Sequence, residues 1–370
     1  MKTQAAVLWN VGDAWSVEEV DLADPVAGEV KVKLAASGLC HSDDHLVTGD
    51  IPITLPVVGG HEGAGVVEAV GPGVTSVAPG DHVVLSFLPA CGRCRWCSSG
   101  HQNLCALGMH LLAGVPIANG VHRFSSKGRG LGTMCLLGTF CPETVVHESS
   151  VVKIDDSIPL ELAALVGCGV TTGWGSAVYA AEVQPGDTVV VVGIGGVGIN
   201  AVQGARLAGA KRIIAVDPVE FKREQAKLFG ATHTAPDLEA ATALVAEITW
   251  GQMADKAILT VGVASGDLIA PTMDLLSKNG WAVVTAIAPI QQMDVKLNLH
   301  LMTLFQKQLR GSIFGSANPR ADIPKLLGLY QEGLLKLDEL VTRTYKLEDV
   351  NQGYQDLRDG KNIRGLILYD

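Results

Sequence analysis

The chain has 370 residues, more than one hydrophobic core usually accommodates, so two domains are expected. Hydrophobic residues make up 48% and charged residues 18%, a globular balance, and no apolar run reaches the roughly 18 residues that a membrane span needs. The formal net charge of -10, without a strong basic cluster, argues against nucleic-acid and membrane partners.

The first part of the chain, to about Ile154, consists of short β-like runs separated by Gly and Pro turns. Residues 30–34 and 65–70 are typical runs, and they predict a mainly antiparallel β domain. Residues 1–7 lack the apolar stretch of a secretory peptide, which favours a cytoplasmic location. The eight cysteines would be kept reduced there, so metal binding or catalysis is favoured over disulfides.

From about Thr171 strands alternate with helices, as in βαβ units of a parallel sheet. The predicted elements are a strand at 188–192, a strand at 212–216, a helix over 220–229 closed by Gly230, and strands at 257–261 and 282–285. After about Gly315 the predictions are a helix over 323–331, a strand at 341–345, a helix over 347–357 and a strand at 365–369. This tail is expected to return to the first domain.

A glycine-rich loop follows the first of these strands and opens a helix: Gly193-Ile194-Gly195-Gly196-Val197-Gly198. Such glycines let a pyrophosphate approach backbone N–H groups at a helix N-terminus. Asp217, at the end of the next strand, would bind ribose hydroxyls and repel a 2′-phosphate, and no Arg follows it immediately. The loop therefore predicts binding of NAD rather than NADP, the alternative being a glycine-rich turn without a ligand.

Four cysteines lie within fifteen residues: Cys91, Cys94, Cys97 and Cys105. Four thiolates suffice for a closed tetrahedral zinc, which leaves no room for substrate and indicates a structural role. A bacterial iron–sulfur motif would place its fourth Cys three residues after the third and follow it with Pro, whereas Ala106 follows here. Buried cysteines without a ligand are the remaining alternative.

A second set of candidate ligands is dispersed over Cys40, His61 and Cys168. No spacing rule links these positions. Taken singly, a Cys is often a small buried hydrophobe and a His a satisfied polar group, so the residues alone leave both interpretations open.

In their order along the chain these segments closely resemble the zinc-containing medium-chain alcohol dehydrogenases, and the likeness extends over essentially the whole sequence. The matching segments are 38–43, 60–63, 91–105, 167–173 and the glycine loop. The resemblance implies a GroES-like, mainly antiparallel β domain over 1–169 and 314–370 that carries both zinc sites. It implies a doubly wound Rossmann domain over 170–313 that binds NAD. The implied reaction is reversible hydride transfer between a primary or secondary alcohol and NAD, giving an aldehyde or ketone.

The resemblance assigns the catalytic zinc to Cys40, His61 and Cys168, with a fourth position left open. Asp43 would hydrogen-bond the free ring nitrogen of His61 and fix its tautomer, or else be a loop carboxylate in water. Glu62 would lie behind the zinc in a supporting role and help to exchange its ligands, the alternative being a carboxylate that only balances charge.

A proton relay is implied for two residues near Cys40. Ser42 would take the alcohol proton first, and His45 would pass it to solvent. The alternatives are a turn hydroxyl for Ser42 and a surface histidine for His45.

Further family positions concern the cofactor and the substrate. Thr172 would approach the nicotinamide, Lys222 the adenosine ribose and Arg364 the pyrophosphate, with a surface salt bridge as the alternative for both cations. His41 stands where many relatives carry Arg against the pyrophosphate, and a mostly neutral imidazole would attract that anion less. Phe87 would line the substrate pocket.

Residues 44–50 and 361–365 look like the actinobacterial branch that includes N,N-dimethyl-4-nitrosoaniline-dependent alcohol dehydrogenases. Some of its members hold NAD without exchange and are linked to the redox carrier mycofactocin. The rival functions are a glutathione-dependent formaldehyde dehydrogenase and a non-catalytic NAD-binding protein. The glycine-rich region 106–140 resembles a lobe of dimeric relatives, and a homodimer or homotetramer is expected.

Overall fold

The computed structural model describes all 370 residues, and the chain divides into two compact units. The first unit comprises Met1–Cys168 and Asn318–Asp370, and the second is the continuous segment Gly169–Ala317. The chain returns to the first unit four residues later than the predicted boundary at 313/314. The reason is close packing at Gly315, where an added Cβ would lie 2.4 Å from the Thr172 carbonyl oxygen within the second unit.

The first unit is built from a closed barrel and a seven-stranded sheet. In hydrogen-bonding order the barrel strands are β1 (Lys2–Leu8), β2 (Ser16–Leu22), β7 (Phe124–Ser126), β8 (Arg129–Thr133) and β4 (Val57–Val58). The sheet strands are β10 (Val151–Lys153), β6 (His82–Leu85), β5 (Gly63–Val70), β3 (Glu29–Leu39), β18 (Arg364–Leu368) and β17 (Val341–Tyr345), with β9 (Glu143–His147) also paired to β3. The pairs are antiparallel except β4 with β8 and β17 with β18.

Short helices connect these strands: α1 (His41–Thr48), α2 (Arg95–Ser98), α3 (Leu160–Ala163), α10 (Pro319–Gln331) and α11 (Val350–Arg358). Strand β3 shows why a sheet forms here, because Val30, Val32 and Leu34 are buried while Lys33 between them is exposed. This alternation places every second side chain in the core. The glycine-rich region 106–140 contains β7 and β8 of the barrel.

The second unit has a six-stranded parallel sheet. Its strands are, in order, β13 (His233–Ala235), β12 (Arg212–Val216), β11 (Thr188–Val192), β14 (Ala254–Leu259), β15 (Leu276–Val284) and β16 (Gln308–Gly311). Its helices are α4 (Gly169–Gly175), continued by a π-helical turn (Ser176–Ala180), α5 (Gly196–Leu207), α6 (Glu220–Phe229), α7 (Leu238–Ile248), α8 (Ile269–Asp274) and α9 (Leu299–Phe305). This strand order is that of a Rossmann domain, which confirms the predicted fold class.

No single helix is long and apolar enough to cross a membrane. One bent pair, Leu160–Gly167 with Gly169–Ala180, meets the criteria of length and composition when its two parts are counted together.

Candidate metal centres and dinucleotide site

The four clustered cysteines converge in the first unit. The sulfur atoms of Cys91, Cys94, Cys97 and Cys105 all lie within 4.8 Å of one another. The Sγ–Sγ distances are 4.0 Å for both Cys91–Cys97 and Cys94–Cys105. Four sulfurs placed about 2.3 Å from a zinc ion at the corners of a tetrahedron would be roughly 3.8 Å apart. The cluster therefore fits a structural zinc with little adjustment.

Backbone N–H groups near this cluster favour the thiolate form of Cys94, which can bind a cation. The N–H groups of Ala106 and Cys97 donate to Cys94 Sγ over 3.4 and 3.5 Å. These bonds lower the pKa of the Cys94 thiol to about 6. Burial raises the pKa of Cys97 to about 12, so a bound metal would have to displace that proton.

Replacing Cys94 by alanine is expected to reduce the zinc content of the protein by one ion per chain. Around the cluster only the four-residue helix α2 and short 3₁₀ turns provide regular structure, so metal cross-links take the place of a core. A loss of roughly 3–5 kcal/mol would lower Tm by about 10 °C. Metal analysis and thermal melting test this, with Ser98→Ala as the neighbouring control. Unchanged zinc content in the Cys94 variant would contradict it.

The dispersed candidates also converge in the first unit. Ligand atoms of Cys40, His61, Glu62 and Cys168 all lie within 4.8 Å of one another. Antiparallel pairing explains part of this, because Ser37 near the end of β3 is opposite Gly63 at the start of β5. Cys40 directly follows β3, while His61 and Glu62 directly precede β5, so all three lie at the same edge of the sheet.

His61 is held by a buried carboxylate. Its Nδ1 lies 2.9 Å from Asp43 Oδ2, and Asp43 Oδ1 accepts the Gly60 N–H over 2.8 Å. Burial lowers the pKa of His61, but the negative charges of Asp43 and Cys40 outweigh burial and raise this pKa well above its ordinary value. Since Nδ1 faces Asp43, Nε2 is the nitrogen left for a metal.

The Asp43→Asn variant is expected to bind zinc about 10- to 100-fold more weakly at the dispersed site, because the charge behind His61 is lost. The amide oxygen can still accept the Gly60 N–H, so the loop should keep its shape. Competition with a chelator measures the affinity, and Asp81→Asn on the surface of the same unit is the control. Equal zinc retention in both variants would exclude the role given to Asp43.

Glu62 forms a buried ion pair with Arg364, Oε2 to Nη2. An added Cβ at Gly38 would lie 2.0 Å from Glu62 Oε2, so a larger residue here would push the Glu62 carboxylate out of its place beside Arg364. Burial raises the pKa of Glu62, although the charge of Arg364 opposes that effect. Arg364 is only 2% exposed, so the alternative of a surface salt bridge is wrong. Its Nε has no hydrogen-bond partner, and its contact with a pyrophosphate stays a prediction.

Helix α1 carries the two predicted relay residues. Ser42 Oγ lies 3.6 Å from Cys40 Sγ. His45 is buried at 3% exposure, so it is not a surface histidine, and its ring lies 6.4 Å from that of His41 between centroids. The Phe87 ring packs edge-on against the His61 ring at 5.9 Å between centroids and so lies beside the ligand cluster.

The glycine loop of the second unit leaves space for an anion. Gly193 has a φ of 91°, and an added Cβ at Gly198 would lie 1.8 Å from the Gly193 carbonyl oxygen, so the turn is tight. An added Cβ at Gly195, by contrast, meets nothing within 4 Å. The open N-terminus of α5 therefore fits a pyrophosphate. Thr172 Oγ1, buried without a partner in the same unit, fits a polar ligand.

Asp217 stabilises the glycine-rich loop through hydrogen bonds. Its two carboxylate oxygens accept the N–H groups of Ile194 over 2.8 Å and Val219 over 2.9 Å. A carboxylate has further lone pairs, so bonds to ribose hydroxyls remain available. Arg223 was not predicted from the sequence to lie at this site, and its Nη1 donates to the carbonyls of Asp217 and Pro218. The only sequence signal for Arg223 is its position in the first turn of α6. The neighbouring Lys222 is half-exposed.

Comparison with known proteins identifies the class of this fold and site. Residues 26–156 match the profile of the alcohol dehydrogenase GroES-like domain, and residues 196–332 match that of the zinc-binding dehydrogenases. Alcohol dehydrogenase B of Mycobacterium tuberculosis is 55% identical over 370 residues, covering 100% of this chain and 99% of that protein. The NDMA-dependent alcohol dehydrogenase of Amycolatopsis methanolica has the same identity and coverage.

Solved structures agree with these relatives. Benzyl alcohol dehydrogenase from Acinetobacter calcoaceticus has a TM-score of 0.92 at 32% identity, with 100% of both chains covered. An alcohol dehydrogenase zinc-binding domain protein from Burkholderia ambifaria has a TM-score of 0.93 at 33% identity, covering 100% of this chain and 99% of its own. The chain therefore belongs to the zinc-containing medium-chain alcohol dehydrogenase family, and the resemblance found in the sequence is confirmed.

Proposed function

We propose that this protein is an NAD-dependent alcohol dehydrogenase that interconverts a primary or secondary alcohol with its aldehyde or ketone. The observation that carries the proposal is the convergence of Cys40, His61 and Cys168 in one buried cluster. Two thiolates and an imidazole are the ligands of a catalytic zinc with an open position, whereas the four-cysteine cluster is closed. Glu62 lies in the same cluster but is engaged by Arg364, which leaves that position open.

Bound zinc would supply Lewis acidity at the alcohol oxygen, and NAD would supply the hydride acceptor. Ser42, beside Cys40, would accept the alcohol proton, and His45 on the same face of α1 would pass a proton to solvent. Phe87 would provide an apolar wall for the carbon chain of the alcohol. Asp43 would keep His61 oriented.

For the cofactor, we assign the pyrophosphate to the backbone of the loop 193–198 and the adenosine ribose to Asp217 and Lys222. Thr172 is assigned to the nicotinamide, and His41 and Arg364 remain further proposed contacts. Asp217 disfavours a 2′-phosphate through charge. Arg223 lies close to Asp217, and its Nη1 already donates to the backbone carbonyls of Asp217 and Pro218.

Purified protein should contain two zinc ions per chain and should oxidise benzyl alcohol, the probe we suggest from the structural neighbour. The assay is run with added NAD and, separately, with N,N-dimethyl-4-nitrosoaniline as the acceptor. Release of NADH into solution indicates an exchanging cofactor. Turnover only with the nitrosoaniline, together with NAD that copurifies, indicates the branch linked to mycofactocin.

The proposal fails if protein with two zinc ions oxidises neither benzyl alcohol nor ethanol with either acceptor. An assay of formaldehyde with and without glutathione tests the glutathione-dependent alternative. Native mass spectrometry of the same sample reports bound NAD and tests the expected homodimer or homotetramer.

A further inference from the structure

His45 has a partner that the sequence did not reveal. Its Nδ1 lies 3.0 Å from Oδ2 of Asp50. Thr48 Oγ1 donates to the same carboxylate oxygen over 2.6 Å. The arrangement depends on Gly49, which ends α1 with a φ of 82° and turns the chain so that Asp50 approaches the helix again.

The burial of His45 makes its contact with Asp50 relevant to proton transfer. The His45 side chain is 3% exposed and that of Asp50 is 21% exposed, so the carboxylate is the more solvent-accessible partner of the pair. A buried imidazole that gains a proton needs a fixed tautomer and a compensating charge. The hydrogen bond from Thr48, followed by that from His45, lowers the pKa of Asp50, so this carboxyl group is ionised at neutral pH. An ionised carboxylate can only accept, which places the proton of neutral His45 on Nδ1 and leaves Nε2 as the acceptor.

We propose that Asp50 is a positioning residue of the proton relay, which holds His45 in the Nδ1–H tautomer and stabilises the imidazolium formed when Nε2 takes up a proton. The inference rests on the proposed function. In this step the Nε2–H bond forms as the donor O–H bond breaks, Asp50 stays ionised, and the ring returns to neutral by giving a proton to water.

Two residues of α1 near His45, His41 and Asp44, differ from Asp50 in charge or in partner. The His41 ring, on the same helix, lies beside the His45 ring but carries no negative charge. Asp44 is engaged by Arg358 of α11, whose Nε donates over 3.1 Å. The remaining alternative is that Asp50 only closes the turn after α1.

Asp50→Ala, which removes the carboxylate, tests the proposal. We expect kcat/KM for benzyl alcohol to fall about tenfold, with a larger solvent deuterium isotope effect. The loss is smaller than the roughly 10²- to 10⁴-fold that a general acid–base group itself contributes, because Asp50 acts only through His45. Asp50→Glu, which restores a carboxylate, should recover most of the rate. Asp13→Ala, on the surface of the same unit, is the matched control. A purely structural Asp50 would change Tm without changing the isotope effect, and that result would overturn the proposal.

A second measurement does not depend on turnover. Long-range proton–nitrogen correlation spectra of protein labelled with ¹⁵N-histidine report the tautomer, and His45→Gln assigns the signals of His45. We expect the Nδ1–H form in the parent protein and a shift toward Nε2–H in Asp50→Ala. An Nε2–H ring in the parent protein would exclude the proposal even if the enzyme is active. Absence of any alcohol oxidation in the parent would instead reject the proposed function, while the spectra still decide the role of Asp50.

Discussion

The Cys168→Ala variant is expected to bind one zinc ion fewer per chain than the parent protein and to lose about a thousandfold in kcat/KM. A thousandfold corresponds to roughly 4 kcal/mol at 1.36 kcal/mol per factor of ten. That is the size of effect expected when the Lewis acid is lost, since a catalytic metal contributes several kcal/mol. Cys168 is one of only three side chains proposed to hold this zinc, and two ligands would not retain it.

Cys141→Ala is the matched control, because Cys141 is also buried but belongs to neither cluster. Its thiol donates to the carbonyls of Gly138 and Glu143. This control should keep both zinc ions and nearly all of the activity. Metal analysis and steady-state kinetics on both variants decide the matter. A Cys168 variant with two zinc ions and normal turnover would refute the site.

Gly195→Val is expected to abolish cofactor binding without unfolding the protein. The position has a φ of -89°, which any residue can adopt, and an added Cβ meets nothing within 4 Å. The valine side chain would instead fill the space in front of the N-terminus of α5, where the pyrophosphate is proposed to bind. We expect the Kd for NAD to rise by at least about 100-fold, roughly 2.7 kcal/mol, while Tm stays close to that of the parent.

The measurement is a calorimetric titration with NAD, or the NAD content of the purified protein if the cofactor does not exchange. Gly311→Val provides the control, because an added Cβ there also meets open space in the same unit. Gly198→Ala is a contrasting variant that should destabilise the fold, since its Cβ would overlap the Gly193 carbonyl oxygen. Normal NAD affinity in the Gly195 variant would show that the loop does not hold the cofactor.

The interior of the Rossmann sheet could be predicted from the sequence with accurate bounds. Strands β11 and β12 and helix α6 have the predicted bounds, because continuous Val and Ile runs and the closing Gly230 are local signals. Strands β13 and β16 were not predicted, because each is short, partly exposed and lacks an apolar run. Both are strands only because a neighbouring strand offers them hydrogen bonds.

The candidate site divides in the same way. The four-cysteine cluster could be predicted from spacing, because its ligands lie within fifteen residues. The set with Cys40 and Cys168 could be predicted only through resemblance, since tertiary structure alone brings those residues together. The pairing of Glu62 with Arg364 across 302 residues, and that of His45 with Asp50 around a glycine turn, depend on backbone paths that no local pattern encodes.

The pairing of Glu62 with Arg364 also bears on how the protein is made. The second unit is one continuous segment, whereas the first unit also needs β17 and β18, which are synthesised after the second unit. All seven zinc-ligand residues precede Arg364 in the chain. Until Arg364 has been synthesised, Glu62 therefore lacks its counter-charge. Burying that carboxylate alone would cost several kcal/mol. Completion of the dispersed metal site therefore requires that β18, which carries Arg364, has been synthesised.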